Sequence, residues 1–466
     1  MRILIGNHID PSIRARTDMR AWTQRLVWFA RPGDVLILCT EPDPDFLDYV
    51  LTLTGTGPGE VTVLTAPPGR YGGMLLEPEA LTDPAFLDQV RAALRPAGGP
   101  QAVGEIFALW PSASVARFAT ALGLADRMPG LSYFAQGGAE IGNNKANFRA
   151  IAAAAGVPTV PGEVCRSRRE AVAATHRLLA QAEAVVVQQA HNGAGVGNQI
   201  LLAADSQLAT DHVGARHLHR LAPGPDGITA YWQERWDWAS ADGRHPVVVA
   251  AFAPGAEAVY SEHFADDSGT CPTEQGRLHY VGRRLSHQTV PLQGLGPLVH
   301  ARLVDNGARL AEAYRALGYR GHLSADAITT PDGRLYFTEV NAQVSGSLHI
   351  YQVIAHRIVG TADHPARAVV EYHVPPTWHV PDAAAFHQAL ADLDLDWNPA
   401  GRTGVIVSMP IAPGPDGAQF VFCLAYDPKT GHEEPFARLD ARFATRPAAA
   451  FDPADHVGAP VTAFSS

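Results

Sequence analysis

The sequence predicts a multidomain protein of mixed α/β and α+β class, with an α/β unit built on a parallel sheet at its beginning. Two observations lead to this prediction. Short apolar runs alternate with helical stretches over residues 1–135, and mostly strands follow from about residue 228. The chain has 466 residues, which is too long for a single hydrophobic core and indicates two to four domains.

The first unit contains four short β-rich runs: "RILIG", "DVLILC", "EVTVLT" and "EIFALW". Helical stretches such as "PAFLDQVRAAL" and "ASVARFATALG" separate or follow them. The opening segment has a short apolar run with charges close behind, so we interpret it as a first strand and not as a signal peptide. "NHIDPS" follows that strand in place of a GxGxxG fingerprint, and a dinucleotide at the usual position is not expected.

Composition excludes several classes of partner. A net charge of −11 argues against nucleic acid or an anionic membrane as the main partner. The four cysteines are far apart and form no CxxC pair, which predicts reduced thiols in a cytoplasm and not a disulfide framework or a zinc site. No window approaches the roughly 18–20 apolar residues of a membrane span. We therefore expect a soluble, cytoplasmic protein.

A second unit begins near residue 140 with "NNKANFRAIAAAAGVPTVP". This stretch predicts a helix capped by Asn143 or Asn144 and ended by Gly156. Lys145 falls in the first turn, where the helix dipole disfavours a cation by ~0.3–1 kcal/mol. Two interpretations remain open, a lysine that points to solvent and a lysine that faces a bound polyphosphate.

A glycine loop follows, in the order "AVVVQQ", "AHNGAGVGN", "QILLAAD". Gly193, Gly195 and Gly197 lead from one predicted strand into another, whereas the glycines of a P-loop lead into a helix. The loop is either a flexible hairpin turn or a set of backbone N–H groups arranged around an anion. Residues 211–220 are expected to resume a helix.

The remaining chain is mostly strands up to about residue 345, with "ITAYWQERW" among them and a helix at "LVDNGARLAEAYRALG". The proline-rich part from about residue 361 contains "TGVIVSMPIAPGPDGAQFVFCLAYD", which predicts a hairpin across "PGPDG". The final "RPAAAFDPADHVGAP" resembles loose chain.

Three polar residues stand out on two of these strands. Glu339 and Asn341 are two apart in "LYFTEVNAQVSGSLH", so their side chains leave the same face. Asp326 lies in the preceding strand, and the intervening "TPDG" turn brings it back opposite them. Two carboxylates and an amide oxygen suit Mg²⁺ that bridges to substrate phosphates. The alternative is an exposed sheet face with solvated carboxylates.

The order of these motifs resembles the ATP-grasp superfamily, and the first unit resembles its Rossmann-like pre-ATP-grasp domain. The whole chain is similar to the peptide ligases of the pheganomycin type. The resemblance implies the following division: a pre-ATP-grasp domain at 1–139, an ATP-grasp lid lobe at 140–228, a catalytic lobe at 229–360, and a small C-terminal α+β domain at 361–466.

The resemblance also implies the ligands, ATP and Mg²⁺, and the residues that bind them. Lys145 matches the first phosphate-contacting lysine, Gly193–Gly197 the phosphate lid, and Glu234, with Asp237 nearby, the hinge acid beside the nucleoside. The implied magnesium ligands are Asp326, Glu339 and Asn341. The sequence departs from the family where Gln188 replaces a second lysine, a loss of charge for which His191 or Arg216 would compensate. It also departs at Ser324 and Gln343, where a basic residue and an arginine are found in other members.

For the carboxylate substrate, "VGRRLS" offers Arg283 and Arg284 on a predicted strand. An arginine fork suits a carboxylate or an acyl phosphate, although a surface pair is an equal alternative. His322, Ser345 and Ser347 are further pocket candidates.

The implied function is ATP-dependent ligation of an amino-acid-type carboxylate to an amine through an acyl phosphate, in specialised-metabolite (antibiotic) biosynthesis. Two alternatives are a small-molecule kinase with the same fold and a nucleotide-binding protein whose chemistry has lapsed. The sequence names neither the acid nor the amine, and a homodimer is only the family-level expectation.

Overall fold

The structure, a computed structural model, describes residues 1–7, 18–57, 59–192, 195–208, 214–412 and 419–445. Its strands form three sheets that follow one another along the chain. No helix of the described residues has a stretch long and apolar enough to cross a membrane.

The first sheet is parallel, in the order β3-β2-β1-β4, which confirms the α/β prediction for this unit. Its strands are β1 (Arg2–Ile5), β2 (Val35–Leu38), β3 (Thr62–Thr65) and β4 (Glu105–Ala108). The helices of this part are α1 (Arg20–Thr23), α2 (Pro44–Thr54), α3 (Pro84–Leu94), α4 (Ala113–Ala121), α5 (Leu131–Ala135) and α6 (Gly138–Gly142), with a 3-10 helix at Gln24–Phe29. Asp43, Asp83 and Ser112 cap α2, α3 and α4 with side-chain oxygens.

The second sheet carries the glycine loop, and we call it the lid sheet. Its order is β5-β9-β6-β7-β8. The strands are β5 (Gly162–Cys165), β6 (Ala184–Gln189), β7 (Asn198–Leu202), β8 (His217–Arg220) and β9 (Val247–Ala251). Three helices accompany it, α7 (Lys145–Ala154), α8 (Arg168–Leu179) and α9 (Pro225–Ser240). The predicted order of strand, glycine loop and strand is confirmed, since β6 and β7 pair antiparallel.

Two predictions for this region were wrong. Residues 228–236 lie within α9 and do not form a strand, because Tyr231 and Trp232 pack with α8 and the sheet from one face of a helix. The predicted helix at 211–220 is instead β8 at His217–Arg220, which pairs parallel to β7, while 211–213 lie outside the described residues. The predicted boundary at 228/229 therefore falls inside α9, and the chain leaves the lid sheet only after β9.

The third sheet has eight strands in the order β14-β13-β10-β11-β12-β15-β17-β16, and we call it the catalytic sheet. The strands are β10 (Glu257–Ala265), β11 (Thr270–Val281), β12 (Arg284–Val290), β13 (Gly321–Thr329), β14 (Leu335–Asn341), β15 (Ala368–His373), β16 (Gly404–Val407) and β17 (Val421–Tyr426). The helices are α10 (Pro297–Ala316), a π-helix (Ile350–Val359), α11 (Ala383–Asp392) and α12 (Glu433–Phe443).

The C-terminal strands extend this same sheet, because β15 pairs with β12. The predicted C-terminal hairpin is confirmed as the antiparallel pair β16–β17. Its "PGPDG" turn and the final stretch from residue 446 onward lie outside the described residues.

The two faces of the catalytic sheet are covered differently. On one face, α10 packs so closely that a Cβ added at Gly307 would meet the His263 ring at 2.4 Å. On the other face lie the segment after β14 and the π-helix, whose Tyr351 hydrogen-bonds Thr273 of β11. This second face carries the candidate site.

Candidate active site

The three predicted magnesium ligands lie together on this second face. Asp326 of β13 pairs with Glu339 of β14, and Ser324 pairs with Asn341 in the next row. Asn341 Nδ2 donates to Asp326 Oδ2 at 3.1 Å, and Ser324 Oγ donates to Asp326 Oδ1 at 3.0 Å. The antiparallel hairpin expected from "TPDG" thus places two carboxylates and an amide within contact of one another.

Lys145 reaches this group from the start of α7. Its side chain is only 6 % exposed, and Nζ lies 2.5 Å from Glu339 Oε2. Nζ also donates to the carbonyl of Asn192, on the glycine-loop side, at 2.7 Å. Of the two sequence interpretations, the structure excludes the lysine that points to solvent. Lys145 instead links the lid sheet to the acidic residues of the catalytic sheet.

The start of α7 is held in place by asparagines. Asn144 caps the helix, since its Oδ1 accepts from the N–H groups of Ala146 and Asn147. Asn143 Oδ1 accepts from the N–H of Ala342 at 2.9 Å, directly after β14. The chain following α7 then bonds the edge of β14, where Phe337 N–H donates to the carbonyl of Pro158. Hydrogen bonds therefore tie the start of α7 to β14.

The electrostatics of the acidic group favour a cation. Burial, and after it the neighbouring Glu339 carboxylate, raise the pKa of Asp326 to about 8. Two carboxylates side by side with an amide oxygen form an oxygen donor set of the kind that Mg²⁺ prefers. The residues present therefore fit the magnesium ion that the sequence resemblance implies, since its charge would relieve this repulsion.

The glycine loop stands over this group from the lid side. Gly195 has a φ of +69°, and its carbonyl accepts from the N–H of Arg216. Gly197 packs so tightly that a Cβ there would come within 3.1 Å of the His191 carbonyl oxygen. Gly195 favours glycine because of its positive φ, whereas a Cβ at Gly197 would fit only if its neighbours shifted by a few tenths of an ångström. Gly193 lies outside the described residues.

Gln188 and His191 flank the loop. Gln188 pairs with Val248, which packs with Ala146 of α7, so Gln188 lies on the face of the lid sheet that meets α7. His191 is buried, and its Nε2 lies 3.1 Å from Asn144 Nδ2. Burial, with His245 and Lys145 nearby, lowers the pKa of His191 to about 3, so its imidazole is neutral and does not replace the missing lysine charge.

The predicted arginines lie at the turn between β11 and β12 and beside the glycine loop. Arg283 was predicted on a strand, and this is wrong, because Gly282 and Arg283 form the two-residue turn between β11 and β12 with φ values of +53° and +65°. Arg284 begins β12. Burial, followed by the charge of Arg284, lowers the pKa of Arg216. Arg216 therefore shares its surroundings with Arg284 and lies beside the glycine loop.

The other pocket candidates lie on the same sheet face as Asp326. The ring of His322 packs against that of Phe264 at a tilt of 53°, with the ring centroids 4.8 Å apart, and burial lowers the pKa of His322 to about 4. Ser345 and Ser347 are buried in the segment after β14. Both hydroxyls donate to Oε1 of Glu262, at 2.7 and 2.6 Å.

The structure does not bring Glu234 to this group. Glu234 lies on α9 with its side chain 66 % exposed, and it is paired with Arg235. Asp237 is also exposed on α9, where it lines a surface pocket of about 340 Å³ together with His191 and His245. The strand that actually leads from the lid sheet to the catalytic sheet is β9, and its connection to β10 carries no acidic side chain before Glu257.

Sequence reasoning missed two residues that hold the segment after β14. Glu262 of β10 accepts from both serines, and Arg25, fully buried, donates through its guanidinium to the carbonyls of Ser345 (2.5 Å) and Val344 (3.2 Å). A signal for Glu262 was present, because an acid within "AVYSEHFA" repeats the pattern of a charge inside an apolar strand. Arg25 gave no such signal.

Comparisons with known proteins agree with this architecture. Residues 23–124 match the family model described as Pre ATP-grasp domain. N5-carboxyaminoimidazole ribonucleotide synthetase from Thermus thermophilus superposes with a TM-score of 0.56 and 12 % identity, over 96 % of this chain and 99 % of that one. Biotin carboxylase from Campylobacter jejuni gives 0.55 and 13 %, over 94 % and 90 %. L-amino acid ligase from Bacillus licheniformis gives 0.53 and 13 %, over 95 % and 97 %. No curated protein sequence matches the chain.

These matches establish the fold. The chain contains a pre-ATP-grasp domain followed by the ATP-grasp fold. Because the structural relatives share so little sequence identity, they establish the fold, and the activity has to be argued from the site.

Proposed function

We propose that this protein is an ATP-dependent ligase that joins an amino-acid-type carboxylate to an amine, through an acyl phosphate, with release of ADP and phosphate. The substrates we propose are amino acids or short peptides, in keeping with the likeness to an L-amino acid ligase and with the sequence resemblance to pheganomycin-type ligases. Formation of a specialised metabolite is the biological role that this resemblance supports.

One observation carries the proposal: the buried contact of Lys145 with Glu339, beside Asp326 and Asn341. A protein that only bound nucleotide would have little need for two adjacent carboxylates, an amide and a buried lysine between two sheets. Phosphoryl transfer needs such groups, because its transition state spreads negative charge over the transferred oxygens.

Each residue then has a role at a stated place. Asp326, Glu339 and Asn341 would hold Mg²⁺, which when bound neutralises phosphate charge and orients the γ-phosphoryl group. Lys145 binds phosphate oxygens from the α7 side. The backbone around Gly195 and Gly197 covers the phosphates and excludes water, which protects an acyl phosphate from hydrolysis.

We propose that arginines supply the positive charge near the phosphates and near the carboxylate substrate that accepts the phosphoryl group. Gln188 supplies hydrogen bonds but no charge. Arg216 reaches the site beside the glycine loop, and we propose that it replaces the charge that the family has at position 188. We propose that Arg284 orients the carboxylate substrate, since a guanidinium fork matches a carboxylate.

The test follows ADP and phosphate release from Mg·ATP with a pool of the twenty amino acids and triglycine, with mass spectrometry on the same samples. Glu339→Gln serves as the inactive control. We expect release that depends on both an acid and an amine, and a product whose mass is their sum minus water.

Two other outcomes would contradict the proposal. An acceptor that gains a stable phosphate without an amine would identify a kinase. Nucleotide binding without release of ADP, in the wild-type protein and in Gln188→Lys alike, would identify a protein whose chemistry has lapsed.

A further inference from the structure

Glu262 is a buried carboxylate beside the proposed phosphoryl-transfer site. It lies on β10 and has no exposed surface. Its Oε1 is saturated by the hydroxyls of Ser345 and Ser347. Its Oε2 is equally buried but has no hydrogen-bond partner among the described residues.

The neighbours of Glu262 do not supply the missing partner. Ser324 lies directly across the sheet, and its hydroxyl is close enough to lower the pKa of Glu262, but its single proton is donated to Asp326 Oδ1 at 3.0 Å. Glu274, opposite on β11, is another carboxylate and is hydrogen-bonded to His356. An unpaired buried oxygen of this kind destabilises the fold, and more so when it is charged. Burial accordingly raises the pKa of Glu262 to about 7.

A second buried carboxylate shows that this is not a general property of the sheet. Glu371 of β15 is also buried, and its pKa is likewise raised to about 7 by burial. Its two oxygens are both satisfied, one by Gln288 Nε2 at 2.6 Å and the other by Ser408 Oγ at 2.9 Å. Of these two buried carboxylates, the one next to the candidate site has an oxygen without a hydrogen-bond partner among the described residues.

The position of Glu262 suits a substrate group. Glu262, Ser324 and Asn341 form one row across three neighbouring strands, with their side chains on one face. Strands lie about 4.8 Å apart, so Glu262 is about 10 Å from the Asn341 backbone. Asp326 is closer, on the adjacent strand and two positions along, so the two backbones are about 8 Å apart. Side chains that reach into this gap can hold an amine at Oε2 directly beside an acyl carbon whose phosphate is held at Asp326.

We propose that Oε2 of Glu262 binds the ammonium group of the amine substrate and accepts a proton from it. This inference rests on the proposed ligase function. The ammonium gives one proton to Oε2, and the nitrogen lone pair attacks the carbonyl carbon of the acyl phosphate. The C–N bond forms, the C–O bond to phosphate breaks, and phosphate leaves with that electron pair. The second proton lost by nitrogen goes to the leaving phosphate.

Access to Oε2 depends on residues 345–347, in the segment after β14. Because Glu262 has no exposed surface here, the amine reaches it only when residues 345–347 shift. That segment is Ser-Gly-Ser, which has no bulky side chain to displace.

The experiment compares Glu262→Gln with the wild-type protein, using the acid and amine that the wild type selects from the amino acid and triglycine pool. Amide formation is measured against amine concentration. In parallel, hydroxylamine replaces the amine at mildly alkaline pH, where it is uncharged, and traps the acyl phosphate as a hydroxamate. We expect KM for the amine to rise about tenfold or more, with hydroxamate formation within about twofold of wild type.

Glu371→Gln is the matched control, and we expect it to leave both reactions within about twofold of wild type. A Glu262→Gln protein with a wild-type KM for the amine would overturn the inference, and so would equal loss of amide and hydroxamate, which indicates a structural role. If Glu262→Gln does not fold, Glu262→Asp takes its place with the same expectations, because it keeps the charge but withdraws the oxygens. Absence of both products from the wild type would overturn the proposed function and this inference with it.

Discussion

The contact between Lys145 and Glu339 gives the prediction that the structure defines most sharply. The perturbation is Lys145→Met, alone and combined with Glu339→Gln. Lys145→Met leaves Glu339 beside Asp326 without a cation, and Glu339→Gln leaves a buried lysine without its anion. The double variant has neither charge, so we expect it to be less destabilised than the sum of the two single variants.

The magnitude follows from burial. Removing one partner of a buried ion pair costs about 3–5 kcal/mol, whereas an exposed pair is worth about 0–1 kcal/mol. The two side chains are 6 % and 21 % exposed. Because this is close to the buried limit but not at it, we expect a coupling free energy of about 2–3 kcal/mol.

The assay is urea unfolding of all four proteins, followed by tryptophan fluorescence. The control is the same cycle on Arg177 and Glu163, which approach equally closely at 2.5 Å but are 57 % and 43 % exposed. That cycle should give at most about 1 kcal/mol. Additivity of the Lys145 and Glu339 variants within about 0.5 kcal/mol would refute the reasoning.

Three further predictions concern the lid and the buried acids. Gln188→Lys should change ATP affinity by no more than about twofold in calorimetry, because Arg216 already supplies the charge; a tenfold gain, equal to about 1.4 kcal/mol, would show that Arg216 does not replace it. Gly195→Ala should weaken ATP binding about five- to thirtyfold, since a φ of +69° costs alanine about 1–2 kcal/mol. Gly243→Ala is the control: its φ is +76° and an added Cβ would meet no atom within 4 Å, so it should carry similar backbone strain but keep the wild-type ATP affinity. Glu371→Gln should become more stable relative to wild type as pH rises from 4.5 to about 7. Protonated Glu371 stabilises the wild-type fold, and the wild type loses about 3 kcal/mol of this stability as pH rises through that window. The same difference in melting temperature between variant and wild type at both pH values would contradict this.

Local signals in the sequence were enough to predict much of the site. Asn144 and Gly156 bound α7, and the "TPDG" turn sets the pairing of Asp326 with Glu339. These features depend on residues close together in the chain. For the same reason the parallel first sheet could be predicted from its alternating runs.

The helix α9 shows where the sequence misled. "ITAYWQERW" is rich in aromatic and β-branched residues, which favour a strand. Its helical signals were Gly224 and Pro225 at the start and the spacing of Ile228, Tyr231 and Trp232, all of which pack on one helix face. Packing against α8 decided between the two, and Glu234 was misplaced as a consequence.

Long-range contacts account for the rest. Glu262 meets Ser345 and Ser347 more than 80 positions along the chain, and Arg25 meets the carbonyl of Ser345 at a separation of 320. No local pattern encodes such contacts. They arise only when the first unit and the catalytic sheet close on the segment after β14.

The most direct test of the account follows oxygen from the substrate carboxylate. The acid substrate is labelled with ¹⁸O in its carboxylate and incubated with Mg·ATP, the amine and the enzyme, and the released phosphate is analysed by mass spectrometry. If the carboxylate attacks the γ-phosphoryl group, one carboxylate oxygen leaves with phosphate, and we expect one ¹⁸O in each phosphate released. Phosphate without ¹⁸O, alongside ADP, would contradict activation of the acid as an acyl phosphate.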